Sequence, residues 1–405
     1  MIQKAGAQGR RLFVSVTTVK MVVLELQNTN MKQTVLVMCG GQSMEHEVSI
    51  ITGMQVFREL QSSQFEPLFI YLDKQNNLFW LRDYRIKQDF YRADRVPITL
   101  VRERSQPFLR TLSWFPKRVS VAAAYLAFHG GPGECGQVQG LLETIGLPHT
   151  SSATEASAIA MNKVLTKEVL SQAGVSVLPW QSVRRQPFVI DPSSVTKQCV
   201  AKLGLPAIVK PAHLGSSIGI EIVANEVALE KALHVATRID EEVLVEPALT
   251  DFVEYNVSVR ERGGKLECSP IEEPVRQTEI LTFEDKYAGG AKKSGGGMES
   301  LDRHLPADIS ETLAEQIKAE AKKVYRAARQ RGLVRIDFMY SGEQLYCTEI
   351  NPIPGSMAFY LWEAAGEQFS QQVQASLEET LRSASATKVL PEYQTDIVKK
   401  FIAAS

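Results

Sequence analysis

Arg335-Ile336-Asp337-Phe338-Met339-Tyr340-Ser341-Gly342-Glu343-Gln344-Leu345-Tyr346-Cys347-Thr348-Glu349-Ile350-Asn351 reads as two strands joined by a turn. Side chains alternate between the faces of a strand, and residues opposed in an antiparallel pair have a constant sum of positions. A turn centred near Glu343 therefore sets Asp337 opposite Glu349 and Arg335 opposite Asn351, with all four polar groups on one face. Val334, Ile336, Phe338, Tyr340, Tyr346 and Ile350, with Thr348 among them, form the apolar face. Opposed carboxylates destabilise a pair of strands unless a cation lies between them. Two carboxylates and an amide oxygen make a hard donor set suited to Mg²⁺ shared with phosphates. The structural alternative is a solvated face on which Arg335 pairs with Asp337, and a one-residue slip of register would disperse the group.

Upstream, Ile208-Val209-Lys210-Pro211 is a buried strand ending in lysine, followed by the small-residue loop His213-Leu214-Gly215-Ser216-Ser217-Ile218-Gly219. Backbone N–H groups and hydroxyls of such a loop can reach phosphate oxygens, although the same residues also suit a plain hairpin turn. It is not a Walker A loop, which needs Gly-Lys-Ser/Thr opening a helix; Gly264-Lys265 is followed by Leu266. Gly131-Pro132-Gly133-Glu134-Cys135-Gly136 matches G-x-G-x-x-G between a strand and a helix, and Glu155 lies at about the distance of a ribose contact. That dinucleotide reading leaves the acidic hairpin and Lys210 unexplained, and the match falls in the middle of its lobe instead of its first β-α unit. Glu45 and Glu47 suit either a site or the positive end of a helix dipole. His129 suits either a ligand contact or a satisfied core position.

The length, 405 residues, allows two or three domains with a cleft between lobes. Lys plus Arg number 45 against 46 Asp plus Glu, so no global field draws in nucleic acid or anionic lipid, and small molecules are the expected partners. The five cysteines include no C-x-x-C pair, which fits a reducing cytoplasm better than a zinc or redox site. The longest apolar run, Val121 to Phe128, is far short of a membrane span. No signal peptide is expected, because Ser15, Thr17, Thr18 and Lys20 interrupt Leu12-Phe13-Val14; Met21 and Met31 are alternative starts, and residues 1–30 read as a variable extension.

Strands at Thr34–Met38, Pro67–Leu72 and Val121–Phe128, a helix at Val48–Leu60, a glycine loop at Gly130–Gly136 and a helix at Val138–Ile145 predict a mainly parallel sheet covered by helices. The layout of Asp73–Ser120 is not legible. A helix over Ser157–Gln172, strands at Pro206–Lys210, Ile218–Val223 and Glu242–Pro247, and a helix at Glu226–Ala236 predict a small α+β module. Strands at Glu254–Arg260 and Lys265–Pro270, a glycine-rich loop from Thr278 to His304, helices at Ala307–Arg331 and Phe369–Ser383 and the opening hairpin complete the pattern. A loop of that length and composition is expected to be a closing flap.

In order along the chain, these motifs resemble those of the D-alanine–D-alanine ligases of the ATP-grasp superfamily, from about Thr34 to Val373. Gly40-Gly41-Gln42-Ser43 with Glu45-His46-Glu47-Val48-Ser49 is similar to the family's opening motif, and His129-Gly130 through Glu134 and Gly136 to its H-G-x-x-G-E-x-G loop. Met161-Asn162-Lys163 and Lys210-Pro211 resemble its two nucleotide-binding lysine motifs, and Phe283-Glu284-Asp285-Lys286-Tyr287 its flap motif. The resemblance implies an α/β and α+β ATP-grasp fold: a Rossmann-like N-terminal domain over 31–155, a central lid subdomain over 156–247, a C-terminal subdomain over 248–385 carrying flap 278–304, and a tail over 386–405.

It further implies ATP and Mg²⁺, two ions, with Mn²⁺ as an alternative metal. Glu45 would hold the ammonium of the first D-alanine, with His129 and Arg335 also at the substrate. Lys163, Lys210, Ser217 and Lys286 would surround the phosphates, Glu246 would stand at the adenine hinge and Glu254 at the ribose. Ser216 and Tyr287 would join Glu45 in a catalytic network, Asp337, Glu349 and Asn351 would be metal ligands, and Arg335 with Gly355 would hold an oxyanion. The implied activity is ATP-dependent joining of two D-alanines through an acyl phosphate, for peptidoglycan synthesis, in a cytoplasmic homodimer. Departures concern the acceptor. Asn351-Pro352-Ile353-Pro354-Gly355-Ser356-Met357-Ala358-Phe359 runs into Tyr360-Leu361-Trp362, with the serine that grips the second D-alanine in the family absent or displaced. Cys135, Asn162 and Ser152 replace residues usual there (aspartate, aspartate and glycine), and Glu254 stands one residue further from Glu246. A different amino or hydroxy acid acceptor, or a non-catalytic nucleotide-binding relative, are the competing expectations.

Overall fold

A computed structural model of the chain describes residues 32–82, 90–215, 218–275, 303–386 and 395–404. The expected extension over 1–30, the flap up to residue 302, and Ser216, Ser217, Lys286 and Tyr287 lie outside the described residues.

The first lobe is a seven-stranded sheet. Its elements are β1 (Gln33–Gly40), helix α1 (His46–Leu60), β2 (Phe65–Leu72), β3 (Leu78–Leu81), β4 (Arg95–Glu103), β5 (Gln106–Thr111), β6 (Arg118–Ser120), β7 (Ala123–Leu126) and helices α2 (Gly131–Glu134) and α3 (Gln137–Thr144). The strand order is β6-β5-β4-β3-β2-β1-β7. Val35 to Cys39 and Ala123 to Phe128 are completely buried, as expected of strands covered on both faces, even though β7 is last in the order. The expectation of a mainly parallel sheet needs correction: β1 is parallel to β2 and β7, but β2 through β6 run antiparallel. A parallel return needs a crossover of about a dozen residues or more. Arg104 and Ser105, both at positive φ, close β4 onto β5 in a two-residue turn, so that segment can only double back.

Next come α4 (Thr154–Met161) and α5 (Lys163–Gln172). The single helix expected over Ser157–Gln172 is interrupted at Asn162, whose extended backbone ends one helix while its side chain accepts from the N–H groups of Val164 and Leu165, both at 2.9 Å, to start the next. The middle module follows as β8 (Gln181–Arg184), α6 (Arg185–Ile190), α7 (Pro192–Leu203), β9 (Ala207–Pro211), β10 (Glu221–Val223), α8 (Glu226–Ile239) and β11 (Glu242–Pro247). Its antiparallel sheet has the order β10-β9-β11-β8. Ala207, Val209, Val243 and Val245 enter a core with Leu229 and Leu233 of α8, whereas Ile208, Lys210 and Glu246 fall on the opposite face by strand alternation.

The third sheet contains β12 (Val253–Arg262) and β13 (Lys265–Cys268). After the short pair β14 (Glu273–Pro274) and β15 (Arg303–His304) come α9 (Glu311–Ala327), β16 (Val334–Ser341) and β17 (Gln344–Asn351). The order is β13-β12-β16-β17, all antiparallel. Asp337 does oppose Glu349, and Arg335 opposes Asn351. Beyond Asp337 the register shifts by one, because Thr348 is bulged and the turn is the two-residue Gly342-Glu343, both at positive φ. Leu345 and Cys347, instead of Tyr346, are therefore buried beside Phe338. Ala160 of α4 and Leu170 of α5 pack into this third core, together with Ile317, Ala321 and Val324 of α9.

The chain then returns to the first lobe through α10 (Phe359–Glu363) and α11 (Phe369–Ala386), and a last helix, α12 (Ile397–Ala404), follows. Ile353, Met357, Phe359, Leu361, Phe369, Val373 and Leu377 belong to the same core as β1 and β7. Among the described residues no helix is long and apolar enough to cross a membrane.

Candidate active site

A cavity of about 420 Å³ separates the middle and third sheets, a size suited to a small-molecule ligand. Ile208, Ile220, Ile222, Leu249, Phe252 and Met339 give it apolar walls, and Lys163, Lys210, Glu246, Glu254, Asp337 and Glu349 bring charge to it. Glu246 is buried between Lys167, which it contacts through Oε1, and Lys210, whose Nζ is 2.7 Å from Oε2. Burial acts to raise the Glu246 carboxyl, but the charges of Lys210 and Lys167 outweigh it and hold the group down at about 2. Lys163 donates to the Leu214 carbonyl at 2.7 Å and lies 3.4 Å from Glu349 Oε1.

Strand pairing extends the polar face of the hairpin onto β12. Asn256 opposes Asp337 and Ser258 opposes Arg335, so Glu254, Asn256, Ser258 and Arg260 line up beside the hairpin's polar residues. Both oxygens of Asp337 accept hydrogen bonds: Arg335 donates through Nε (2.7 Å) and Nη2 (2.8 Å), and Asn351 Nδ2 donates at 3.0 Å. The pairing held as the structural alternative is thus present, while Glu349 faces the cavity beside Lys163. Among the described residues no three His, Cys, Asp or Glu side chains form a metal cluster. The available set is two carboxylates and the amide oxygen of Asn351, whose nitrogen is the atom turned to Asp337, and this oxygen chemistry fits a hard divalent ion. Lys163 and Arg335 meanwhile supply the positive charge that opposed carboxylates require.

At the other end, Glu45 precedes α1 with its Oε2 against the backbones of Gly130 and Gly215. Ser43 fixes this corner, its hydroxyl donating to the His129 carbonyl at 2.7 Å and accepting from the Glu45 N–H at 3.0 Å. His129 is buried with Nε2 2.8 Å from the Thr52 hydroxyl, and burial pushes its ring down to about 4, so it is neutral near pH 7. Glu134 accepts from the N–H groups of Gly130 (2.7 Å) and Ile353 (3.2 Å), tying the first lobe to the segment after the hairpin. Burial and the nearby charge of Glu45 push it up to about 8 in spite of those donors.

The segment expected to be a glycine loop contains the short helix α2. Its spacing serves the chain's own packing: a Cβ on Gly133 would lie 2.2 Å from the Phe128 ring, and Gly136, at φ 102°, abuts the Thr154 carbonyl. These approaches leave no room for a pyrophosphate against those two glycines, and Glu155 pairs with Arg329 at 3.1 Å instead of facing a ribose. The dinucleotide alternative is thereby overturned.

Gly355 opens a tight turn in which Ser356, Met357 and Ala358 all have left-handed backbone, at φ 48°, 56° and 47°. Where the acceptor serine is expected stands Tyr360, whose hydroxyl donates to Glu272 Oε2 at 3.0 Å. Asn256 Nδ2 donates to the same oxygen at 3.1 Å, Arg303 lies 2.9 Å from Oε1, and its guanidinium stacks 4.3 Å from the Tyr360 ring. Trp362 Nε1 donates to Ser258 at 3.1 Å. Sequence reasoning missed Lys167, Asn256, Ser258 and Glu272. Lys167 lies four residues after Lys163 on one helix, and Asn256 and Ser258 continue the alternation begun at Glu254, so periodicity carried signals for three of the four. No comparable signal marks Glu272. A separate cavity of about 350 Å³, near Glu143, Arg260, Arg331 and Glu379, is lined by none of the expected site residues.

The fold is shared with solved structures of the ATP-grasp fold. The D-alanine–D-alanine ligase of Helicobacter pylori superposes with a TM-score of 0.67 at 26% identity, covering 90% of this chain and all of that one. The VanG D-Ala:D-Ser ligase of Enterococcus faecalis gives 0.74 at 24% identity, covering 86% of this chain and 100% of its own, and speaks for the fold alone. Family models for the N-terminus and C-terminus of D-ala D-ala ligase match residues 34–152 and 169–378. The D-alanine–D-alanine ligase of Thermosipho melanesiensis is 32% identical over 367 residues, 89% of this chain and 96% of its own. The chain belongs to the D-alanine–D-alanine ligase family.

Proposed function

We propose that the protein is an ATP-dependent ligase that joins two D-alanines through an acyl phosphate, in the cytoplasm, for peptidoglycan precursor synthesis and hence cell shape. The observation that carries this is the opposition of Asp337 and Glu349 on the wall of a cavity that also receives Lys163 and Lys210. A free carboxylate is a poor acyl donor to an amine, so ATP must first phosphorylate it. Lys163, Lys210, Ser217 and Lys286 would neutralise and align the phosphates, with Glu246 and Glu254 at the base and ribose. Asp337, Glu349 and Asn351 would hold Mg²⁺, two ions in the family pattern and Mn²⁺ in their place where available. When bound, the metal supplies charge stabilisation to the transferring phosphoryl group.

Glu45 would bind the ammonium of the first D-alanine, with His129 nearby as a neutral imidazole and Ser216 and Tyr287 completing the network. Attack by the second amine on the acyl phosphate creates an oxyanion, for which the Arg335 guanidinium and the Gly355 N–H are the candidate donors, each worth about 3 to 4 kcal/mol by precedent at such sites. Phosphate then leaves and the amine loses its proton. The proposed division is an N-terminal domain to 155, a central piece to 247 and a C-terminal piece to 385, whose flap would exclude water from the acyl phosphate. The proposed assembly is a homodimer, checked by light scattering.

ADP release with Mg²⁺-ATP tests the reading. Turnover with D-alanine alone is expected, and Glu349→Ala is expected to abolish it while leaving the circular dichroism spectrum unchanged; near-normal turnover of that variant would remove the metal assignment. Tyr360 and its bond to Glu272 favour a second reading, in which the acceptor is a different amino or hydroxy acid. Turnover that begins only when D-serine, D-lactate or another acceptor joins D-alanine would establish it, and no turnover with any acceptor would point to a nucleotide-binding relative.

A further inference from the structure

Glu246 stands between two ammonium groups that differ in what else they can reach. Lys210 lines the cavity with Glu246, whereas Lys167 does not line it and its side chain is only 3% exposed. Lys167 also donates to the Leu178 carbonyl at 3.2 Å, with its ammonium 5.8 Å from the centre of the Trp180 ring. It is one helical turn after Lys163, so the same face of α5 delivers one lysine to Glu349 and Leu214 and the next to the back of Glu246. We propose that Lys167 is a positioning residue, which by holding one oxygen of Glu246 makes that carboxylate share its charge between two ammonium groups and so leaves the positive charge of Lys210 only partly neutralised and open to the phosphates of a nucleotide. This rests on the nucleotide-binding reading above.

Charge balance in a poorly hydrated wall explains the arrangement. Two cations around one carboxylate leave one positive charge to be compensated, and an anionic ligand in the cavity can do so through Lys210, the only one of the two lysines that lines it. Without Lys167, Glu246 and Lys210 become a closed one-to-one pair, and a phosphate must compete with a buried carboxylate for the ammonium. The nucleoside part of the ligand makes no such demand, because Lys210 still holds Glu246 in place beside the base when Lys167 is removed. Lys167 would therefore matter in proportion to the phosphates and little to the base and sugar.

The test is calorimetric titration of the full chain, in Mg²⁺ and without D-alanine, with ATP and with adenosine. Lys167→Met is expected to weaken ATP by about tenfold or more and adenosine by less than about twofold, and Lys167→Arg to recover most of the loss. Equal losses on both ligands, no loss on ATP, or no recovery by arginine would overturn the proposal. Should Lys167→Met not fold, the comparison moves to a background without the carboxylate. Lys167→Met/Glu246→Gln should bind ATP as Glu246→Gln does, because Lys167 then has nothing to hold; a further loss there would also overturn it. A wild-type chain that binds no ATP would sink the nucleotide reading and this inference together, whereas normal wild-type binding with the adverse variant patterns sinks this inference alone.

Discussion

Glu134 is enclosed by its own loop and by the segment after the hairpin, and its carboxyl sits near 8 against an ordinary 4.5. Between those values the folded chain holds a proton that the unfolded chain has released, so this group costs stability as pH rises from about 4.5 to about 8. Thermal unfolding of the wild type against Glu134→Gln should show the wild type losing ground steadily between about pH 5 and about pH 8, and parallel curves would contradict the assignment. His129 and His149, both pushed down to about 4 by burial, act in the opposite sense, with stability gained as pH rises from about 4 to 6.5. They are present in both proteins and cancel from the difference. Glu246, held near 2, contributes stability above its ordinary 4.5 that is lost as pH falls toward 2.

At the scale of elements, Asn162 connects a sequence departure to a helix start. Its Oδ1 caps α5, and its Nδ2 donates to Glu242 Oε2 at 3.3 Å and lies 3.1 Å from His213 Nε2. An aspartate could make the cap but would set a second carboxylate against Glu242. Asn162→Ala should lower stability by about 1 kcal/mol in denaturant titration, and should raise the KM for ATP, because the helix it starts carries Lys163 and Lys167. Unchanged values would mean that the cap is not what places those lysines. The same break shows why the one helix read over Ser157–Gln172 is two: an amphipathic pattern that continues through a cap carries no sign of the interruption. The hairpin was legible for the opposite reason. Alternation and a short turn determine the register from Asp337 to Asn351, but Thr348 adds a residue that the tighter turn removes, and two compensating changes leave the sequence pattern unaltered. Asp73–Ser120 was opaque because its strands are half-exposed and pair through tight turns, so that neither face reads as continuously apolar.

At the scale of the molecule, each of the three larger sheets has its own core, and the helices do not respect chain order in covering them. Residues α4 and α5 contribute fall in the C-terminal core, and α11 completes the N-terminal one. Leu377, fully buried there, should lose about 2 to 5 kcal/mol on replacement by alanine, and the loss should appear as easier exchange of amides in β1 and β7, more than 230 residues away in sequence by about that order. α12 is different: Ile397, Val398, Phe401 and Ile402 are all exposed. Ending the chain at Ala386 should leave the melting temperature within about 2 °C of the full chain. The lysine and acidic motifs of the site were legible because each lies within one short segment. What joins them, Asn256 beside Asp337 or Tyr360 on Glu272, depends on contacts between distant segments that one sequence does not display.

Helix α11 also sets a timetable for biosynthesis. A ribosome finishes the seven strands of the N-terminal sheet long before it reaches Phe369, so the nascent lobe emerges with the apolar surface of β7 and α1 that α11 covers still open until residues 369–386 have been made. Products terminated before Phe369 would carry that greasy face into solution and should clump or recruit chaperones, whereas a chain that extends through α11 shields it.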